Sequence, residues 1–211
     1  MGHKVLFAQQ KGGAGKTMLL TQIAAALAAS GQAVTIVDLD PQGTATQWCK
    51  ERDRLNPDLP PIALQESANW RAGMDIQNAA DASDWALIDS PGTADVLKRV
   101  LIRNADFCVI PCQPSAADVW ACRATLETIE EVGVNHLVVL NRVPPRSRSA
   151  DIASAELAAL GAPVMEATLG ARTAFADTFM AGTGAGERKA RTKAAEEIRD
   201  VLASLQKAVS D

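Results

Sequence analysis

Gln10-Lys11-Gly12-Gly13-Ala14-Gly15-Lys16-Thr17 lies between an apolar run, Val5-Leu6-Phe7-Ala8, and a stretch with helical spacing from Thr17 to Ala29. A buried strand, a glycine-rich turn and a helix in that order make a phosphate-binding loop, so this stretch decides both the fold class and the ligand class. A nucleoside triphosphate carries several negative charges that must be met by many donors at close range. With no Cβ at Gly12, Gly13 and Gly15, and only the small Ala14 between them, backbone N–H groups can converge on the phosphate oxygens. Lys16 is placed to set a compact positive charge on the β and γ phosphates, and the Thr17 hydroxyl can ligate a bridging Mg2+. Leu19, Leu20, Ile23, Ala24 and Leu27 recur as one buried helical face. The loop therefore opens a helix whose N-terminal dipole also favours anions.

The spacing departs from the standard loop, which has a glycine where this chain has Gln10 and no lysine where it has Lys11. Further on, the β-branched run Val34-Thr35-Ile36-Val37 ends in Asp38-Leu39-Asp40-Pro41-Gln42-Gly43, and Trp85-Ala86-Leu87-Ile88 ends in Asp89-Ser90-Pro91-Gly92. A carboxylate at the C-terminal end of a parallel strand faces the ligand crevice. Aspartate before proline is, taken alone, also an ordinary turn or helix cap. Leu137-Val138-Val139-Leu140 ends in Asn141-Arg142, and a strand-ending asparagine is likewise a common turn former.

In this order the segments resemble the ParA/MinD family of P-loop ATPases, whose deviant Walker A motif has the early lysine as its signature. The resemblance spans most of the chain and includes Ile110-Pro111-Cys112-Gln113-Pro114-Ser115. It implies that Lys11 reaches across an ATP-dependent homodimer to the partner's phosphates, and that Lys16 grips phosphates in its own subunit. It implies also that Asp40 orients or deprotonates the attacking water, that Asp38 lies near the magnesium and Asp89 holds it with Thr17, and that Asn141 contacts adenine. Met18 stands where a second threonine is common, which leaves the magnesium ligand Thr17 untouched.

At 211 residues with 47% hydrophobic content, the chain can bury a sizeable core as one domain, residues 1–211. Strands are expected at residues 4–8, 34–37, 62–65, 85–88, 107–110, 137–140 and 163–165, with helical patterns between most of them. Such alternation predicts an α/β fold of three layers, a mostly parallel twisted sheet with helices on both faces. The four cysteines lack paired zinc spacing, and only His3 and His136 could accompany them, so reduced thiols are expected. With no signal peptide and no apolar run of spanning length, a cytoplasmic protein is expected.

The net charge of −4 argues against a globally basic nucleic-acid binder, yet ParA-type relatives bind DNA without sequence preference through local patches. Glu187 to Asp211 reads as a terminal helix with Ala194, Ile198, Val201, Leu202 and Leu205 on one face, flanked by Arg188, Lys189, Arg191, Lys193 and Arg199. Arg142, Arg146 and Arg148 form a second cluster, and Arg172 precedes the helix. These are the candidate DNA contacts, with an ordinary solvated face as the alternative. The helix carries no aromatic residue, unlike one that docks on a membrane surface, so no membrane partner is expected. No DNA-reading segment is seen ahead of the loop, which resembles the short partition ATPases.

The function implied is a nucleoid-associated DNA-segregation ATPase released by a ParB-like partner. The alternative within the same chemistry is positioning of a protein cargo through an adaptor. A metabolic ATP-dependent synthetase is the reading from another class.

Overall fold

Strands buried between two helical layers have no solvent face, which is why the interior of this protein's sheet is written in continuous apolar runs rather than alternating ones. The computed structural model describes residues 1–92, 95–187 and 191–210. Its strands are β1 (His3–Phe7), β2 (Val34–Asp38), β3 (Ala63–Glu66), β4 (Trp85–Asp89), β5 (Phe107–Cys112) and β6 (Asn135–Leu140). Its helices are α1 (Lys16–Ala29), α2 (Thr44–Leu55), α3 (Ala72–Ala82), α4 (Asp95–Asn104), α5 (Ala116–Val132), α6 (Arg148–Ala159), α7 (Thr173–Met180) and α8 (Lys193–Ser210). The strand order is β3-β2-β4-β1-β5-β6, every pair parallel.

That order positions the site. Leaving β1 the chain runs toward β2, and leaving β4 it runs toward β5, in the opposite direction. A crevice therefore opens above the C-terminal ends of these two adjacent strands. Alternate residues divide the core in two. Val5 and Phe7 pack with α1, α2, α7 and α8 on one face, whereas Leu6 and Ala8 pack with α3 to α6 on the other.

Three expectations need adjustment. α1 is buried almost all round from Leu19 to Ala28, not on one face, because α7 and α8 cover its outer side. Its fully buried Leu19, Leu20, Ile23 and Leu27 are each worth about 1.5–3 kcal/mol on transfer from water. Residues 163–165 make only an isolated bridge, Val138 with Val164, beside β6. Pro163 has no N–H to extend a ladder, although its carbonyl accepts from Val138 N–H at 2.9 Å. The terminal helix begins at Lys193 rather than Glu187, behind Thr192, whose hydroxyl accepts from Ala195 N–H at 3.2 Å as a cap. The apolar face of α8 is buried against the body of the protein, and among the described residues no helix is long and apolar enough to cross a membrane.

Candidate active site

Gly13 and Gly15 sit at φ 81° and 95°, in the left-handed region that side chains resist, and this lets the loop after β1 wrap back on itself. α1 follows with no side-chain cap on Gly15, so the amides of its first turn are left for an anion. Lys16 is buried, and its Nζ donates to the Gln9 carbonyl at 3.2 Å, folding the side chain back over the start of the loop. The chain after β4 closes on the same ammonium, since a Cβ on Gly92 would lie 3.9 Å from it.

Asp89 ends β4 in register with Phe7 of β1 on one side and Asp38 of β2 on the other. It is 0% exposed; its Oδ2 accepts from the Thr17 hydroxyl at 2.7 Å, and its Oδ1 has no partner among the described residues. Burial pushes its pKa from 3.8 up to about 7, reinforced by the charges of Asp38 and Asp40 and opposed by the Thr17 hydrogen bond and Lys16. Asp38 is differently employed. Its Oδ2 accepts from both the N–H and the hydroxyl of Thr46 at 2.8 Å, and its Oδ1 accepts from Asp40 N–H at 3.1 Å. Both oxygens of Asp38, which is expected near the metal, shape the turn into α2. That turn carries Asp40 into the cleft, with Asp40 Oδ1 accepting from Gln42 N–H at 3.0 Å.

These groups fit a magnesium nucleotide. An orphaned buried carboxylate oxygen beside a threonine hydroxyl, under a glycine cradle and a lysine, is the oxygen-rich donor set of a hard divalent cation on a polyphosphate. Thr17 and Asp89 would hold Mg2+, which supplies charge neutralisation between phosphate oxygens, and Lys16 with the loop amides would hold the phosphates.

The cleft has a volume of about 790 Å³, running from Gly13, Lys16 and Asp40 to Arg142, Arg172 and Phe175. Asn141 does not line it. That side chain, expected to contact adenine, is fully buried, and its Nδ2 donates to the Ala14 carbonyl at 3.1 Å, behind the loop. Lys11 also lies off the cleft. Its Nζ is 2.5 Å from Asp118 Oδ2, on a carboxylate only 1% exposed at the start of α5.

Residues 5–183 match the family model described as the CobQ/CobB/MinD/ParA nucleotide binding domain. The chain belongs to that family. It is 31% identical over 206 residues to the Maintenance of carboxysome distribution protein A of Halothiobacillus neapolitanus, covering 92% of each chain. It is 28% identical over 191 residues to Protein ParA of Rhizobium radiobacter, covering 84% of this chain and 82% of that one. Solved structures share the fold. The ATP complex of a substituted Cyanothece McdA matches with TM-score 0.80 at 16% identity, covering 99% of this chain and 96% of that one. The Pyrococcus furiosus cell division ATPase MinD matches with TM-score 0.79 at 18% identity, covering 98% and 99%. This ParA/MinD-family protein is thus an ATPase that uses ATP with Mg2+.

Its basic residues are sorted by the structure. The Arg172 guanidinium binds Glu197 through Nε at 2.8 Å and Nη2 at 2.6 Å. Arg142, exposed at φ 53°, belongs to the nucleotide cleft. Arg191, Lys193 and Arg199 are exposed around the start of α8, with Lys193 Nζ 3.3 Å from Glu196. Arg188 and Lys189 lie outside the described residues. The four cysteines are free and buried, with burial pushing Cys49 and Cys108 up to about 12.

Sequence reasoning gave no role to Asp118, Gln113 or Gln9. Ser115-x-x-Asp118 does have the form of a helix cap, and Ser115 Oγ accepts from Asp118 N–H at 3.2 Å. Nothing local marks the long-range contacts, such as Gln113 Nε2 to the Gly13 carbonyl at 2.8 Å or Gln9 Nε2 to Cys122 Sγ at 3.0 Å.

Proposed function

We propose that this ATPase positions a protein cargo on the nucleoid. In the cytoplasm, ATP and Mg2+ close two subunits face to face, with each Lys11 serving the partner's phosphates and Asp40 acting on the attacking water. The closed dimer holds DNA without sequence preference, through the exposed Arg191, Lys193 and Arg199 together with Arg188 and Lys189. An adaptor on the cargo stimulates hydrolysis and release. The observation that carries the cargo is the 31% identity, along 92% of both chains, with a protein named for maintenance of carboxysome distribution. This reverses the order expected from sequence alone, which put DNA segregation first.

Segregation of a plasmid or chromosome is the second reading, supported by the 28% identity with Rhizobium ParA. A metabolic synthetase has less behind it. The magnesium–ADP structure of Mycobacterium smegmatis cobyrinic acid a,c-diamide synthase matches with TM-score 0.78 at 18% identity, which is a likeness of fold alone.

Purified protein should bind duplex DNA of unrelated sequences only with ATP, with affinity falling steeply as salt rises. Binding without ATP, or none at low salt, overturns the nucleoid step. Capture with an ATP-locked Asp40→Ala variant then separates the two readings. A cargo adaptor in the eluate supports positioning, and a centromere-binding protein supports segregation.

A further inference from the structure

In a trans peptide unit the C=O and N–H point to opposite sides, so a side chain that pins a carbonyl also aims the next residue's N–H. Two side-chain amides do this to the phosphate loop. Gln113, just after β5, donates from Nε2 to the Gly13 carbonyl at 2.8 Å, and Asn141, just after β6, donates from Nδ2 to the Ala14 carbonyl at 3.1 Å. Neither residue lines the cleft, whereas Gly13 and Gly15 do. The carbonyls are drawn back, and the Ala14 and Gly15 N–H groups are turned the other way.

Asn141 is held in that orientation. Its Oδ1 accepts from Arg142 N–H at 2.9 Å, and its backbone N–H donates to the Cys112 carbonyl at 2.8 Å. Flipping the amide would set its oxygen against the Ala14 carbonyl and its NH2 against an N–H donor, losing both bonds in a fully buried place. The loop is fitted to this side chain, since a Cβ on Gly15 would meet Asn141 Nδ2 at 2.3 Å. Gly15 is thus required by its φ of 95° and by Asn141 behind it.

We infer that Gln113 and Asn141 are positioning residues that orient the loop amides toward the phosphates, and that Asn141 acts on the polyphosphate through the loop rather than on the base. The inference rests on the site binding ATP, which wild-type binding of MgATP tests separately.

The experiment compares affinities for MgATP, MgADP and magnesium tripolyphosphate, which has no base, in wild type and in Gln113→Ala, Gln113→Glu and Asn141→Asp. Gln113 is half-buried at the loop's rim, so its variants keep the test open if Asn141→Asp fails to fold. Gln113→Ala should weaken all three ligands by a common factor of about fivefold, the usual worth of one hydrogen bond. Gln113→Glu, which sets a carboxylate against the Gly13 carbonyl, should weaken them by more than about tenfold. Asn141→Asp should follow the same pattern. Thermal unfolding of the ligand-free Gln113 variants should match wild type. Equal affinities in wild type and the Gln113 variants overturn the inference for Gln113. Loss confined to the nucleotides in Asn141→Asp, with tripolyphosphate unchanged, overturns it for Asn141.

Discussion

Lys11 and Asp118, 107 residues apart in the chain, are joined by an ion pair of 2.5 Å in which the carboxylate is buried and the lysine side chain is 39% exposed. Asp118 Oδ2 also accepts from the Ser115 hydroxyl at 2.5 Å. On the reading in which Lys11 serves a second subunit, this contact must break for the dimer to close. It therefore sets part of the cost of closure. Asp118→Asn keeps the shape and removes the charge, so ATP-dependent dimerisation should occur at about tenfold lower ATP concentration, the effect of roughly 1.4 kcal/mol on a two-state equilibrium. Light scattering during an ATP titration, in an Asp40→Ala background that halts turnover, measures this. An unchanged midpoint would show that the pair does not restrain Lys11.

On the reading in which Asp89 holds magnesium, binding of the cation should depend on pH. To hold the cation it must be ionised, and in the metal-free protein burial lifts its pKa from 3.8 to about 7. An acid whose folded pKa is raised binds its proton more readily in the folded state. Through this group, the stability of the metal-free protein should fall as pH rises from 3.8 to about 7 and level off above. Affinity for Mg2+ should run the other way, rising about tenfold per pH unit below that pKa and levelling above it. Denaturation and MgADP titrations between pH 5 and pH 8 check both slopes. Asp89→Asn should abolish the two trends together and raise metal-free stability by about 1–3 kcal/mol, since it removes a buried carboxylate with an unpaired oxygen.

Asp40 and Asp38 sit two residues apart and should fail differently. Asp40→Ala removes the group proposed to act on the attacking water and leaves the loop, Lys16 and Thr17 intact. Its turnover should drop by about 10²–10⁴-fold with affinity for MgATP little changed. Asp38→Ala strips the acceptor from Thr46 N–H, Thr46 Oγ–H and Asp40 N–H, so it should lower turnover and also cost about 1–3 kcal/mol of stability. Single-turnover rates paired with denaturation curves distinguish the two. Unimpaired hydrolysis in Asp40→Ala would remove that residue from the mechanism.

The fold was legible where information is local. Each interior strand reads as an apolar run because both of its faces are covered, and the phosphate loop reads as such because strand, glycines and helix adjoin in the chain. Residues 163–165 misled because Val164 and Met165 suit a strand while Pro163 lacks the donor to build one. The start of the last helix misled because Glu187 favours helices in isolation, but its carboxylate is taken by Arg52. At the site, residue types pointed to Thr17, Lys16 and Asp89, which the structure places around the phosphate loop. Gln113, Asp118 and Asn141 reach the loop and Lys11 instead through contacts across 100 or more residues, which no spacing rule encodes.

Arg52 and Glu187 give the sharpest test of what holds the two ends of this face together. Both side chains are 2% exposed. Arg52 Nη1 donates to Glu187 Oε2 at 2.9 Å and to the Gly182 carbonyl at 3.2 Å, while Nη2 donates to Glu187 Oε1 at 2.5 Å and to the Pro60 carbonyl at 3.0 Å. The guanidinium also lies 5.5 Å from the Trp48 ring centroid. Such a pair gives little net stability over apolar replacements, because two charges must first leave water, but removing one partner strands the other without solvent. Glu187→Ala should therefore cost about 3–5 kcal/mol. Joint replacement by Arg52→Met and Glu187→Leu should recover most of that loss. Denaturant unfolding of the three proteins measures both quantities. If the double variant is as unstable as the single one, its loss comes from the Gly182 and Pro60 carbonyls and the Gly184 N–H, which it leaves unpaired, rather than from an abandoned charge.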